Sequence, residues 1–276
     1  MSPLSEFPPA ARREVRCVLA DIDDTLTTAG RLTAAAYAAL ERLQAAGLKV
    51  VPITGRPAGW CDHIARMWPV DGVVGENGAF YFRYDRAQRA MRRRFVDDAA
   101  TRAGHRERLK TIGAAILASV PGAAIAADQL YRETDLAIDF CEDVPRLAPE
   151  AVDRIVALMQ GRGLTAKVSC IHVNGWFGAY DKLSMTKRLL AECHGIDLGR
   201  DAERSRCVFA GDSPNDAPMF ACFPHSVGVA NIREFAGRLA HEPAYVTTAA
   251  SGAGFCELVD FVLAPSTSGS EPLLSG

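Results

Sequence analysis

Short apolar runs alternate with amphipathic segments along much of the chain. Runs of strand length cover residues 15–20, 48–53, 72–75, 207–210 and 226–230. Residues 33–46 and 184–194, in contrast, carry apolar side chains at helical spacing. Apolar strands that alternate with helices are typical of a parallel sheet covered on both faces. We therefore predict an α/β fold with a Rossmann-like parallel sheet core and helices on both faces.

The middle of the chain follows a different order. An arginine-rich hairpin is predicted at 81–95, helices at 100–119 and 149–160, and strands at 123–128, 134–140, 164–173 and 176–180. After the hairpin the order α-β-β-α-β-β predicts an α+β unit inserted into the α/β core. We place the core at 14–82 and 182–264 and the inserted cap domain at 83–181. The ends, 1–13 and 265–276, lack a periodic apolar pattern and are predicted to be disordered.

Composition and charge narrow the function classes. The 276 residues are 49% hydrophobic and carry a formal net charge of −2, which gives no argument for nucleic acid or an anionic membrane as partner. No apolar run approaches the roughly 18 residues of a membrane-spanning helix, and the N-terminus has no apolar signal segment. Eight cysteines without a C-x-x-C pair are typical of a reducing compartment. We expect a cytoplasmic protein whose oligomeric state the sequence leaves open.

The stretch VRCVLADIDDTLT carries three carboxylates within four residues, directly after an apolar strand. Alternate strand residues point the same way, so Asp21 and Asp23 can converge while Asp24 turns elsewhere. Convergent carboxylates repel one another unless a cation lies between them, and a hard ion such as Mg²⁺ prefers oxygen ligands. An acidic surface turn, a metal site and a nucleophile all remain open for this stretch alone.

A second strand ends in the same way. In VFAGDSPNDAPMF, Asp212 follows Gly211 directly, and Asn215 and Asp216 come after it. Ligands of open α/β sheets bind at the carboxyl ends of the strands, where the two acidic motifs are expected to meet. The repetition of a strand followed by carboxylates favours a metal site over two unrelated surface turns.

Two further segments suit a phosphate group. In VPITGRP, Thr54 supplies a hydroxyl and Gly55 an exposed backbone N–H, and Arg56 adds a positive charge. In AYDKLSMTKRLL, Lys182 lies at the start of a predicted helix, where anions are stabilised. A solvent-facing Arg56 is the alternative for a loop arginine.

DIDDTLT, ITGR, the helix-start Lys182 and GDSPND resemble, in order, the four motifs of the haloacid dehalogenase (HAD) superfamily of phosphohydrolases. The insertion between ENGA and Lys182 resembles the type IIB cap carried by sucrose-phosphate phosphatases, mannosyl-phosphoglycerate phosphatases and Cof-like sugar phosphatases. One position departs from the common pattern, because Asp24 stands where many members have Gly. The resemblance implies a phosphatase with an α/β core and an αββαββ cap.

The same resemblance assigns roles to the motif residues. It implies that Asp21 attacks phosphorus and forms an aspartyl-phosphate, and that Asp23 acts as the acid and base. The implied Mg²⁺ ligands are Asp21, Asp212 and the Asp23 carbonyl, with Asn215 or Asp216 completing the shell. Thr54, Gly55 and Lys182 would hold the phosphate oxygens.

The expected substrate is a small phosphorylated metabolite, in the first place a sugar phosphate. Candidate specificity residues are Arg56, Arg132, His172 and Asn174, although His172 also fits an ordinary sheet histidine. A phosphosugar mutase of the same superfamily would share all four motifs, and a non-enzymatic binding protein on this fold would have lost some of them. The leaving group and the choice between phosphatase and mutase stay open.

Overall fold

The computed structural model describes residues 1–265. Its α-helices are α1 Pro9–Glu14, α2 Ala34–Ala45, α3 Ala58–Met67, α4 Ala99–Ser119, α5 Pro149–Gln160, α6 Lys182–His194, α7 Asp201–Arg204, α8 Ala217–Cys222 and α9 Ser251–Leu263. Its strands are β1 Ser2–Pro3, β2 Cys17–Ala20, β3 Thr27–Thr28, β4 Arg31–Leu32, β5 Lys49–Pro52, β6 Val73–Gly75, β7 Phe80–Asp85, β8 Ala90–Phe95, β9 Ala124–Ile125, β10 Asp135–Asp139, β11 Thr165–Val168, β12 His172–Trp176, β13 Cys207–Gly211, β14 His225–Gly228 and β15 Tyr245–Val246. Short 3₁₀ turns include Glu76–Gly78, Gln129–Tyr131 and Pro214–Asp216.

A parallel sheet forms the centre of the core. Its strands pair in the order β1-β15-β14-β13-β2-β5. Side chains of β2 alternate between two apolar clusters: Val18 and Ala20 pack in the cluster that includes residues of α2 and α9, and Cys17 and Leu19 pack in the cluster that includes residues of α6 and α8. Both faces of the sheet are thus covered by helices, which confirms the predicted α/β class.

The predicted insertion is also present as a second unit. Its four-stranded antiparallel sheet has the order β11-β12-β10-β9. The sheet packs against α4 and α5, and their apolar side chains form a separate cluster. Along the chain the order is α4-β9-β10-α5-β11-β12, which is the predicted α-β-β-α-β-β. Ile112, Ile155 and Val173 are among the buried residues of that cluster.

The arginine-rich hairpin β7–β8 lies with the core and not with the cap sheet. β7 pairs antiparallel with β6, and β6 continues from the core sheet through a bridge between Ile53 and Val74. The boundary predicted at residue 83 therefore falls inside β7. We propose that the cap domain begins after β8, at the linker that leads into α4.

Residues 1–13 are ordered, so the predicted N-terminal disorder is wrong. β1 pairs parallel with β15, and Phe7 is 1% exposed, with its ring stacked 4.9 Å from that of Tyr245. A single phenylalanine without periodic neighbours does not show in the sequence pattern, yet its burial holds the segment. The predicted C-terminal tail lies, apart from Pro265, outside the described residues.

The strand predicted at 164–173 is two strands, and the separate strand predicted at 176–180 does not form, since β12 ends at Trp176. β11 ends at Val168 and β12 begins at His172, so Ser169, Cys170 and Ile171 form the turn between them. Isoleucine favours strands, and no Gly or Pro marks this turn in the sequence. The turn brings cap residues to the acidic end of the core sheet.

Among the described residues, no helix combines the length and hydrophobicity that a bilayer crossing requires.

Candidate active site

The two acidic motifs meet at one edge of the core sheet. β2 and β13 are neighbouring parallel strands, and the backbone N–H of Asp21 donates to Ala210 O at 2.9 Å. Asp212 follows Gly211, the last residue of β13. Because both strands end at the same edge, Asp21 and Asp212 lie side by side, as the sequence predicts.

Three buried carboxylates form the centre of the site. Asp21, Asp212 and Asp216 each place one carboxyl oxygen within 4.8 Å of the others. Burial raises the pKa of Asp21 to about 8; Lys182 opposes this shift, and repulsion by Asp216 and Asp23 adds to it. Burial, together with the charge of Asp21, also raises the pKa of Asp212. The fold thus holds these carboxyl groups in a buried position that disfavours their ionised form.

Lys182 is the cation that the described residues place among these carboxylates. It is the first residue of α6, and its Nζ donates to Asp21 Oδ1 at 2.6 Å and to Asp216 Oδ1 at 2.8 Å. Asp181 caps the helix, since its side chain accepts from the backbone N–H of Ser184. One ammonium balances one of the three carboxylates.

The donor set fits a divalent cation. The remaining carboxylate charge is buried, and hard ions such as Mg²⁺ bind carboxylate oxygens of this kind. Asn231 Nδ2 donates to Asp212 Oδ2 at 3.3 Å and orients that carboxylate. Asn215 lies beside the cluster, with its Oδ1 accepting from Ser213 Oγ at 2.7 Å.

The Asp23 side chain turns away from the cluster. Arg56 donates from Nε and Nη2 to Asp23 Oδ1 at 3.0 and 2.9 Å, and from Nη2 to Glu142 Oε1 at 2.9 Å. Arg56 is buried, so the solvent-facing alternative for this arginine is wrong. Of the four aspartates in the predicted metal set, Asp23 is therefore the one whose side chain does not join the cluster; the predicted ligand at this position is its backbone carbonyl.

The predicted phosphate loop follows β5, the other neighbour of β2. Thr54 is fully buried, and its Oγ1 accepts from the backbone N–H of Arg56 at 3.0 Å. Gly55 packs against Asn77, whose side-chain atoms would lie 3.2 Å from a Cβ at this position. Gly55 lines one pocket together with Asp21 and Asp23.

All four predicted specificity residues line that pocket as well. It lies between the acidic strand ends and the cap and has a cavity volume of about 20 Å³. Arg56 comes from the core, and Arg132, His172 and Asn174 come from the cap. His172 is buried, with its Nε2 2.9 Å from Glu142 Oε2, so it is not an ordinary surface histidine of a sheet.

Buried ion pairs hold the cap side of the pocket. Arg132 donates to Asp128 Oδ1 at 2.9 Å, to Asp135 Oδ1 at 3.0 Å and to the carbonyl of Gly55 at 2.9 Å. Asn174 Nδ2 donates to Asp135 Oδ2 at 2.9 Å. Arg132 thereby links a cap network to the core loop that carries Thr54 and Gly55.

Glu76 joins core and cap at a second place. Its Oε1 accepts from the backbone N–H groups of Ala58 at 3.0 Å and Glu133 at 2.9 Å, and its Oε2 accepts from that of Thr134 at 2.7 Å. Glu76 is fully buried, and this burial, with repulsion by Asp135, raises its pKa to about 7. We call this set of contacts the Glu76 clasp.

The backbone at Asp24 explains the departure from the common motif. Asp24 has φ 55°, a left-handed conformation that favours Gly and that Asp tolerates better than most residues. Its backbone N–H donates to Thr27 Oγ1 at 3.0 Å, and its carbonyl accepts from Asn231. Asp24 therefore shapes the turn after Asp23.

Several site residues escaped the sequence analysis. They are Glu76, Asp128, Asp135, Glu142, Cys170 and Asn231. A usable signal existed only for Asp128 and Asp135, which stand four residues before and three residues after Arg132. Contacts made across the core–cap boundary leave no local pattern.

Comparison with known proteins gives one family and many similar folds. Residues 18–103 match the family model of haloacid dehalogenase-like hydrolases. The search of curated proteins found no match. A HAD/COF-like hydrolase from Plasmodium vivax, described as putative, shares 17% identity, with 91% of this chain and 96% of that chain covered and a TM-score of 0.65.

Two similar structures have functional names. The sucrose-phosphatase from Synechocystis sp. PCC6803, in complex with sucrose and phosphate, has 16% identity, covers 91% of this chain and 98% of its own, and gives a TM-score of 0.61. A HAD subclass IIB sugar phosphatase has 15% identity, covers 90% and 98%, and gives a TM-score of 0.59. At these identities the likeness concerns the fold. Residues 18–103 thus match the haloacid dehalogenase-like hydrolases in sequence, and the whole chain is similar in fold to structures that carry that name.

Proposed function

We propose that the chain is a Mg²⁺-dependent phosphomonoester hydrolase of a small phosphorylated metabolite, with a sugar phosphate as the expected class. The observation that carries this proposal is the buried cluster of Asp21, Asp212 and Asp216, which has three carboxylates against the single ammonium of Lys182. An anionic phosphate ester could approach this cluster only with further positive charge present. Mg²⁺ held by Asp21 and Asp212, with Asp216 or Asn215 beside it, would supply that charge.

In this proposal the chain's own residues divide the reaction. Asp21 attacks phosphorus and forms the aspartyl-phosphate while the alcohol leaves. Asp23 gives its proton to the leaving oxygen and then takes one from the water that hydrolyses the intermediate. The arginine fork of Arg56 holds the Asp23 carboxyl in one orientation.

The non-bridging phosphate oxygens would meet donors that are already in place. Lys182 lies against Asp21, and the Thr54 hydroxyl and Gly55 N–H follow the neighbouring strand. Donors that are fixed before the reaction stabilise the transition state at little reorganisation cost. Arg132, His172 and Asn174 are candidate contacts of the leaving group in this arrangement, because they line the same pocket as Asp23. The cap turn Ser169, Cys170 and Ile171 lines that pocket as well.

The similar structures support the substrate class. One is named a sucrose-phosphatase and another a subclass IIB sugar phosphatase, and both share this fold. An αββαββ cap of this order supports the type IIB assignment. Eight free thiols favour a reducing compartment, so a cytoplasmic location is part of the proposal.

Phosphate release from a panel of sugar phosphates, phosphoglycerates and p-nitrophenyl phosphate tests the proposal. We expect release with Mg²⁺, loss with a chelator, and recovery on addition of the metal. Asp21→Asn should lose about a thousandfold or more in kcat, whereas Asp153→Asn, an exposed aspartate on α5, should not. Metal-independent release, or an Asp21→Asn variant with about a tenth of wild-type activity, would contradict the mechanism.

A further inference from the structure

A second and larger cleft reaches Asp23. It has a cavity volume of about 670 Å³, against about 20 Å³ for the pocket at the buried carboxylates. Its walls come from α3, from the β3–β4 hairpin and from the cap turn Gln129–Tyr131. They are mainly aromatic and aliphatic: Ile22, Leu32, Trp60, Ile64, Trp68 and Tyr131. Among the described lining residues, Asp23 is the one carboxylate.

Two large aromatic side chains in this cleft remain exposed. Trp60 is 43% exposed and Tyr131 is 59% exposed. They come from core and cap, which approach closely here: a Cβ at Gly59 would lie 2.9 Å from Tyr131 Cβ. When a flat apolar group covers aromatic faces that are open to water in a concave site, the free energy falls and binding is favoured.

The cleft is connected to the proposed chemistry through Arg56. The guanidinium carbon of Arg56 lies 4.5 Å from the centre of the Trp60 ring, and the same guanidinium holds Asp23. Asp23 borders both the polar pocket and the aromatic cleft. A leaving group whose oxygen contacts Asp23 can therefore extend into the cleft.

We propose that the cleft binds a planar aromatic ring of the substrate, so that the preferred substrate is a sugar phosphate that carries such a ring. This inference rests on the proposed phosphatase function and names its substrate class. In this arrangement the leaving oxygen contacts Asp23, which borders both cavities, and the ring lies against Trp60 and Tyr131. A nucleobase and an aryl aglycone share the required chemistry.

Matched substrate pairs test the proposal. Adenosine 5′-monophosphate is compared with ribose 5-phosphate, and an aryl glucoside 6-phosphate with glucose 6-phosphate, in kcat/KM with Mg²⁺. The ring should raise kcat/KM about tenfold or more in at least one pair, as base–aromatic stacking does elsewhere. The pair that responds identifies the source of the ring. Equal values within both pairs would overturn the proposal.

Variants locate the effect. Tyr131→Ala should lower the ratio of kcat/KM between ring-bearing and ring-free substrates by about tenfold, and Trp60→Phe should lower it less. Leu130→Ala is the matched control, because Leu130 lies on the same turn, is 94% exposed and does not line the cleft. An equal loss on both substrates in Tyr131→Ala would mean a structural role and would overturn the proposal.

A binding measurement separates this proposal from the phosphatase function. In Asp21→Asn, adenosine 5′-monophosphate or the aryl glucoside 6-phosphate should quench tryptophan fluorescence, and Trp60→Phe in that background should reduce the quench. Quenching without any turnover by the wild type would contradict the phosphatase proposal and retain the ring site. Absence of quenching, or fluorescence that changes only with protein concentration because a second copy covers Trp60, would overturn the ring site.

Discussion

Lys182 Nζ donates to Asp21 Oδ1 at 2.6 Å, although the two residues lie 161 positions apart in the chain. Because Lys182 is buried, its ammonium acts on the carboxylates with little screening by water. We expect Lys182→Ala to lower kcat by about 10²- to 10³-fold, the loss typical of one removed oxyanion donor. Steady-state kinetics with saturating Mg²⁺ measure this change.

The matched control for Lys182 is Lys187→Ala, since Lys187 is exposed on the same helix. It should leave kcat unchanged. Lys182→Ala should also lower the free energy of unfolding by about 3 kcal/mol, because buried carboxylates lose their partner. A Lys182→Ala variant with wild-type kcat would disprove the proposed role of the ammonium.

The Glu76 clasp should stabilise the closed arrangement of core and cap. Glu76→Ala leaves the buried N–H groups of Ala58, Thr134 and Asp135 without their acceptor, each at a cost of about 1–3 kcal/mol. We expect a loss of roughly 3 kcal/mol or more in the free energy of unfolding, measured by urea denaturation. Glu133→Ala is the control, since it keeps the backbone donor and changes only a partly exposed side chain. Equal stability of the two variants would show that the clasp contributes nothing.

Gly211 leaves room for Asp216. A Cβ at Gly211 would lie 2.6 Å from Asp216 Oδ2, so Gly211→Ala must displace a carboxylate that Lys182 contacts. We expect at least about a tenfold loss of kcat and a destabilisation of about 1–3 kcal/mol. Gly104→Ala on α4 meets nothing within 4 Å and should stabilise the protein by about 0.5–1 kcal/mol. If Gly211→Ala behaved like Gly104→Ala, the close packing at Asp216 would have no functional weight.

Acid should weaken one link between core and cap. His172 and Arg56 lower the pKa of Glu142 to about 2, from its ordinary value of 4.5. A lowered pKa in the folded state means that the stabilisation is present above about pH 4.5 and is lost as the pH falls towards 2. Since Glu142 is partly exposed, we expect its ionised carboxylate to contribute about 1 kcal/mol to the free energy of unfolding.

The comparison of wild type with Glu142→Gln measures this contribution. The difference in the free energy of unfolding should be present at pH 7 and smaller at pH 3. Glu150→Gln, at an exposed position of α5, serves as the control and should show no such change. A difference that grows on acidification would have the wrong sign for this assignment.

The central residues of the candidate site were predictable because each lies directly after an element that the local sequence pattern predicts. Asp21, Asp212 and Thr54 each follow an apolar strand, and neighbouring parallel strands end at the same edge of a sheet. Lys182 was predictable for a similar reason, as the first residue of an amphipathic helix. Where the periodicity predicts a strand or a helix and its direction, it also predicts which side chains lie at the ends of that element.

The cap contacts were not predictable in the same way. Arg56 contacts Glu142, and Arg132 contacts the carbonyl of Gly55. Both contacts depend on how core and cap pack together, and no periodic pattern in the sequence predicts that packing. The turn at Cys170 lies within a stretch of strand-forming residues, and its position is set by the pairing of β11 with β12. The prediction of disorder at residues 1–13 was wrong because the composition of that segment does not show that the ring of Phe7 is buried.

Pro3 lies in β1, the outermost strand on one side of the core sheet, next to β15. An exposed strand edge is a template on which another chain can add a strand, and proline has no N–H to offer such a chain. β1 therefore guards the protein against edge-to-edge aggregation. A chain shortened by its first seven residues would instead present the backbone of Tyr245 and Val246 to its neighbours.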